Sequence, residues 1–100
     1  MTQALDTFVR DRLPDPGRWP HLRFDLPELA YPERMNAAVE LLDRAVDLGE
    51  GERLAVVNDA GQWTYAEIKR LSDGIARVLV EEGGLSPGNR VLLRGPNTAT

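Results

Sequence analysis

Few side chains in this sequence are of types that could carry out chemistry, and their spacing argues against each of them. The single histidine, His21, sits between Pro20 and Leu22. One imidazole without partners builds neither a metal site nor a Ser–His pair, so His21 reads as a partly exposed structural residue. Asp25 and Glu28 flank Pro27 and suit the capping of backbone groups better than paired acid–base work. Glu81 and Glu82 adjoin at the end of a helical pattern and read as solvated. The run Gly49-Glu50-Gly51-Glu52 is glycine-rich, but it is acidic and no Lys-Ser or Lys-Thr follows it. It therefore lacks the positive charge and hydroxyl of a phosphate cradle and reads as a helix stop. Trp19 and Trp63 have rings that could stack on a base or a ligand. Without basic surroundings they read as core or interface aromatics. No catalytic, cofactor-binding or metal-binding residue is assigned in this sequence.

The bulk properties narrow the field further. One hundred residues, 42% of them apolar, fit one modest globular domain rather than a disordered tail. A domain of that size buries only about two-thirds of the surface its unfolded chain exposes, so any uncovered apolar face weighs heavily. Sixteen acidic residues against 12 basic ones leave a net charge of -4, the wrong sign for nucleic acid or anionic lipid. With no cysteine there is no disulfide framework, thiolate nucleophile or Cys-based zinc site. Charges at Asp6, Arg10, Asp11 and Arg12 interrupt the apolar core that a signal peptide needs. No run approaches the roughly 20 apolar residues of a membrane span. These features lead to the expectation of a cytoplasmic protein with no nucleic-acid or membrane partner.

The elements that must position whatever this chain does fall into two stretches, with expected boundaries at 1–34 and 35–100. Five of the seven prolines, Pro14, Pro16, Pro20, Pro27 and Pro32, lie in the first. Each fixes φ and removes a backbone donor, so the segment is expected to be an irregular lead-in. Trp19, Leu22, Phe24, Leu26, Leu29 and Tyr31 are interspersed among them, so it should pack on a surface rather than act as a polar linker. Before it, Leu5, Phe8, Val9 and Leu13 have near-helical spacing and predict a short amphipathic helix.

From Asn36 the pattern changes. Ala38, Val39, Leu42, Ala45 and Val46 recur at helical spacing, with Asn36 as N-cap and Gly49 and Gly51 as the stop. Leu54 to Val57 predicts a strand, Asn58 to Gly61 a turn with a loop of three or four residues, and Gln62 to Tyr65 the return strand of a hairpin. Thr64 and Glu67 stand at the spacing of a capping box. Ile68, Leu71, Ile75, Val78 and Leu79 follow on one face, and the helix is expected to run to Glu82 before Gly83 and Gly84 end it. Pro87-Gly88 then turns the chain into a predicted strand from Arg90 to Arg94, with Asn97, Thr98 and Thr100 as helix-start residues behind it. Helix, hairpin, helix and strand make an α/β arrangement, α+β in the part present, whose last strand has the composition of one covered on both sides.

The stretch TYAEIKRLSDGIARVLVEEGGLSPGNRVLLRGPNT, from Thr64 to Thr98, resembles the opening region of the adenylate-forming superfamily of acyl-CoA synthetases. In that region a strand ending in Thr-Tyr leads through an amphipathic helix and a Pro-Gly turn to a Val-rich strand and a Pro-Asn step. Asn89 departs from the pattern, which usually has an acidic residue after Pro-Gly, and reads as turn chemistry. Upstream, RLPDPGRWPHLRFDLPELAYPERMNAAVELLD, from Arg12 to Asp43, is similar to the lead-in of aryl-CoA ligases, in particular 2-aminobenzoate-CoA ligases and their benzoate relatives.

The resemblance implies a parent enzyme in which an aromatic carboxylate attacks the α-phosphate of Mg-ATP, after which the thiol of coenzyme A displaces AMP. Such chemistry depends on charge stabilisation at the polyphosphate and alignment of the attacking oxygen. The family's phosphate loop, its adenine- and ribose-binding segment and its mobile lysine have no counterpart in these 100 residues. ATP, Mg2+ and coenzyme A are accordingly expected in the parent and not on this piece. The expected fold is the N-terminal piece of the large adenylation domain, incomplete alone and prone to self-association. Two other readings stand beside it: a stand-alone small α/β interaction module, and a regulatory piece that docks on an intact ligase through exposed apolar faces.

Overall fold

The computed structural model describes residues 5–98. Met1 to Ala4, together with Thr100 of the expected helix start, lie outside them. The chain divides into two compact units, one of residues 1–35 with 86–90, the other of residues 36–85 with 91–100. The regular structure of the described residues is α+β: two helices, short 3-10 turns and one two-stranded antiparallel sheet.

In the second unit, helix α1 covers residues 37–50, with wide π-type turns at Val39–Asp43 and Val46–Glu50. Asn36 caps its start, its side-chain oxygen accepting from the backbone N–H groups of Ala38 (3.0 Å) and Val39 (3.2 Å). Near its end Gly49 takes φ +83°, a left-handed conformation costly for any residue with a Cβ, and the helical path stops there as the sequence predicts. Strands β1 (Leu54–Asn58) and β2 (Gly61–Thr64) form the hairpin. Its register pairs Leu54 with Thr64, Val56 with Trp63, Val57 with Gln62 and Asn58 with Gly61, which leaves Ala55 as a bulge. The loop is tighter than expected, only Asp59 and Ala60, because the Asn58 side chain accepts from the N–H groups of Ala60 (2.9 Å) and Gly61 (3.1 Å) and closes the turn itself.

Helix α2 runs from Tyr65 to Glu81 and packs against β1, β2 and α1. The capping box is complete: Thr64 Oγ1 accepts from the Glu67 N–H at 3.2 Å, and a Glu67 carboxylate oxygen accepts from the Thr64 N–H at 2.8 Å. The return strand therefore ends at Thr64, and Tyr65 is already helical. At the other end the Gly83 N–H donates to the Val78 carbonyl and the Leu85 N–H to the Leu79 carbonyl, closing the last turn.

Two expected elements are absent. The helix drawn through Leu5, Phe8, Val9 and Leu13 reduces to the 3-10 turn Arg10–Arg12. The Asp6 side chain takes the Phe8 N–H, and Leu13, which precedes Pro14, is extended at ψ 146°, so too few residues remain for a helix to nucleate. The strand from Arg90 to Arg94 does not form either, since the sheet of the described residues has only β1 and β2. Leu92 and Leu93 stand 93% and 88% exposed. An apolar run alone cannot make a strand without a neighbour to pair with.

In the first unit the lead-in is irregular, broken by 3-10 turns at Pro16–Arg18 and Pro27–Leu29. The Asp15 side chain accepts from the Gly17 N–H (2.8 Å), and the Trp19 indole N–H donates to the Pro14 carbonyl (2.7 Å). Phe24 and Tyr31 meet edge to face with ring centres 6.1 Å apart. No side chain of the described residues is fully buried. Thr64→Ala, which opens the capping box, is expected to lower stability by about 0.5–2 kcal/mol. Chemical denaturation beside a neutral surface control such as Gln62→Ala reads that difference.

Candidate functional site

The residues that the sequence singles out are dispersed. His21 lies exposed in the lead-in. Asp25 does not cap the backbone as expected; Arg23 holds it in an ion pair at 2.6 Å, because a guanidinium two residues away on an extended segment reaches it first. Glu28 is exposed in the Pro27–Leu29 turn, and Glu81 and Glu82 are exposed where α2 ends. In the run from Gly49 to Glu52, Glu50 pairs with Arg53 at 3.1 Å, and the Gly51 carbonyl accepts the Ala66 N–H at 2.9 Å. The segment presents acids and an occupied carbonyl. Trp63 is partly buried in β2, its indole within 3.5 Å of where a side chain at Gly61 would begin.

The structure brings together two polar groupings that inspection of single residues did not single out. The first lies between the helices of the second unit, where a shallow cleft is lined by Val46, Ala66, Lys69, Arg70, Asp73 and Arg77. Lys69 bonds to Asp73 at 2.6 Å and lies 3.8 Å from Asp43 on α1. The bond to Asp73, supported by the fields of Asp43 and Asp47, raises the Lys69 pKa. The Lys69–Asp73 half is an i,i+4 pair that spacing reveals; the Asp43 half needs the helix packing. The charges neutralise one another, and the ammonium is held protonated, so it is a poor base or nucleophile.

The second grouping is in the first unit. Asp6 accepts from the Phe8 N–H (2.9 Å), from the Asn89 side-chain amide (2.8 Å) and from Arg90 (2.7 Å). Those bonds, the Phe8 N–H first, hold its carboxyl below the usual carboxylate range. Asp6 is 83 and 84 residues from Asn89 and Arg90 in sequence, so no local pattern could have revealed the contact. A carboxylate already saturated with donors suits structure rather than proton transfer.

Neither grouping fits the Mg-ATP and coenzyme A that the resemblance implies for the parent. Among the described residues no three His, Cys, Asp or Glu side chains gather where a metal ion could be held. The acidic Gly49–Glu52 run offers no cradle for a polyphosphate. No helix of the described residues is long and apolar enough to cross a membrane.

No family model and no solved structure matches the chain. Over 67 residues, 67% of its length, the chain is 36% identical to a benzoate–CoA ligase of Thauera aromatica. The match spans only 13% of that protein. The similarity is thus to a small segment of an acyl-CoA ligase.

The two groupings make opposite predictions for pH. A lowered pKa means that the Asp6 contribution to stability is complete above its ordinary 3.8 and is lost as pH falls through the lowered value. A raised pKa means that the Lys69 contribution is complete below its ordinary 10.5 and is lost as pH climbs through the raised value. Carbon-13 titration of the Asp6 carboxyl should give a midpoint below 3.8 that moves partway back in Asn89→Ala. The Lys69 midpoint should fall toward 10.5 in Asp73→Asn. Midpoints unmoved by either substitution would contradict these geometries.

Proposed function

We propose that this chain forms the opening part of the large domain of an ATP-dependent, AMP-forming aryl-CoA ligase. The parent would join an aromatic carboxylate, 2-aminobenzoate or benzoate, to coenzyme A with Mg2+ and ATP as cofactors. The observation that carries this reading is the 36% identity over 67 residues to a benzoate–CoA ligase. The passage from β2, ending at Thr64, straight into the amphipathic helix α2 supports it, because that step is part of the stretch that resembles the superfamily. In this reading residues 1–34 are the lead-in and 35–100 the first part of the adenylation domain. None of their side chains touches the reacting atoms.

The contribution of this part is then architectural. Its capped helix and closed hairpin hold one corner of a domain whose reactive groups come from elsewhere in the parent, and the proline-rich lead-in limits how much entropy is lost when that corner orders. A self-contained interaction module is less well supported. Leu71, Ile75 and Val78 along α2 stand 51%, 63% and 51% exposed, more apolar surface on one helix than a finished small domain leaves uncovered.

The test is a coenzyme A consumption assay on the complete gene product, offered 2-aminobenzoate, benzoate, acetate and palmitate in turn. Turnover of an aryl acid well above that of acetate or palmitate is the expected result. Turnover of acetate or palmitate with both aryl acids silent would overturn the aryl assignment, and no thioester from any acid would overturn the ligase reading itself.

A further inference from the structure

Residues 5–12 have little apolar attachment: Leu5, Phe8 and Val9 are all exposed. What holds them in the first unit is polar and converges on one residue. The Asp6 backbone N–H donates to the Pro87 carbonyl at 2.8 Å. The Asp6 carboxylate takes the Asn89 amide and the Arg90 guanidinium on a single oxygen, while its other oxygen takes the Phe8 N–H. Arg90 also lies over the Phe8 ring at 4.6 Å. The approach depends on Gly88, at φ +90°, where any Cβ would run into the Asp6 backbone.

Asn89 has two jobs in this arrangement. Its side-chain oxygen accepts the Ser86 N–H at 2.9 Å and closes the turn, and its amide nitrogen reaches Asp6. Aspartate could do the first of these. It could not do the second, because it would set a carboxylate against a carboxylate with no donor between them.

We infer that residues 5–12 form a detachable strap, fastened to the turn Ser86–Arg90 by the Asp6 carboxylate, and that Asn89 is the residue whose amide permits the fastening. The strap has little apolar cover of its own, and segments with few buried apolar contacts open at low free energy. It opens as a piece, because all but one of the contacts that hold it run through one residue, Asp6.

Limited trypsin digestion of the full chain tests this, with cleavage after Arg12 reporting strap opening and cleavage after Arg23 as the internal control. Asn89→Asp keeps the turn cap and should speed cleavage after Arg12 by about 5- to 30-fold, the change in an opening equilibrium that one or two kcal/mol produces, with cleavage after Arg23 unchanged. The exchanged pair Asn89→Asp with Asp6→Asn restores a donor facing an acceptor between 6 and 89 while giving up the Asp6–Arg90 ion pair, and should slow the Arg12 cut partway again. Cleavage after Arg12 at the original rate in Asn89→Asp, or no recovery in the exchanged pair, would overturn the strap.

Discussion

At residue 64 a strand becomes a helix within one peptide unit, and the backbone donors freed by that change must all be satisfied. A helix start leaves its first N–H groups without intrahelical acceptors. Here each one has a partner. The Thr64 N–H goes to the Glu67 carboxylate, the Tyr65 N–H to the Arg53 carbonyl, the Ala66 N–H to the Gly51 carbonyl and the Glu67 N–H to the Thr64 hydroxyl. Two of the four acceptors belong to the link between α1 and β1. The start of α2 is thereby tied to the end of α1, and Gly51 is where they meet, since a side chain there would begin 3.4 Å from the Ala66 methyl. Cap, hairpin register and helix packing form one mutually dependent unit.

That unit is well connected through polar groups and poorly covered by apolar ones. The ladder, the caps and the Asx-type turn at Asn58 are complete, yet no described side chain is fully buried. Hydrogen bonds contribute only about 1 kcal/mol net each, and it is apolar burial that normally offsets the cost of ordering the chain. The exposed row along α2 and the bare Leu92 and Leu93 are where the missing burial should come from. This imbalance is what a corner of a larger domain would show, and it agrees with a relative that is similar over a small part of its own length.

Local grammar was legible in the sequence because it is written in neighbouring residues. Asn36, Gly49, Thr64 with Glu67, and the Asn58–Gly61 turn each act within four positions, and each appears where spacing places it. Two readings failed where another interaction outweighed the apolar pattern. The Leu5–Leu13 periodicity lost to local competition, with Asp6 taking the Phe8 N–H and Leu13 extended before Pro14, while the Val91–Leu93 run lacks a distant strand to pair with. The polar groupings divide in the same way. The Lys69–Asp73 pair follows from helical spacing, whereas the contacts from Lys69 to Asp43 and from Asp6 to Asn89 depend on the fold.

The central claim is that well-made local structure here lacks enough apolar cover to stand as a finished domain. Sedimentation of the 100-residue chain combined with a thermal melt addresses it directly. The account predicts self-association, or a monomer with a broad transition below the usual mesophilic range of about 45–65 °C. A strictly monomeric chain melting cooperatively above that range would contradict it.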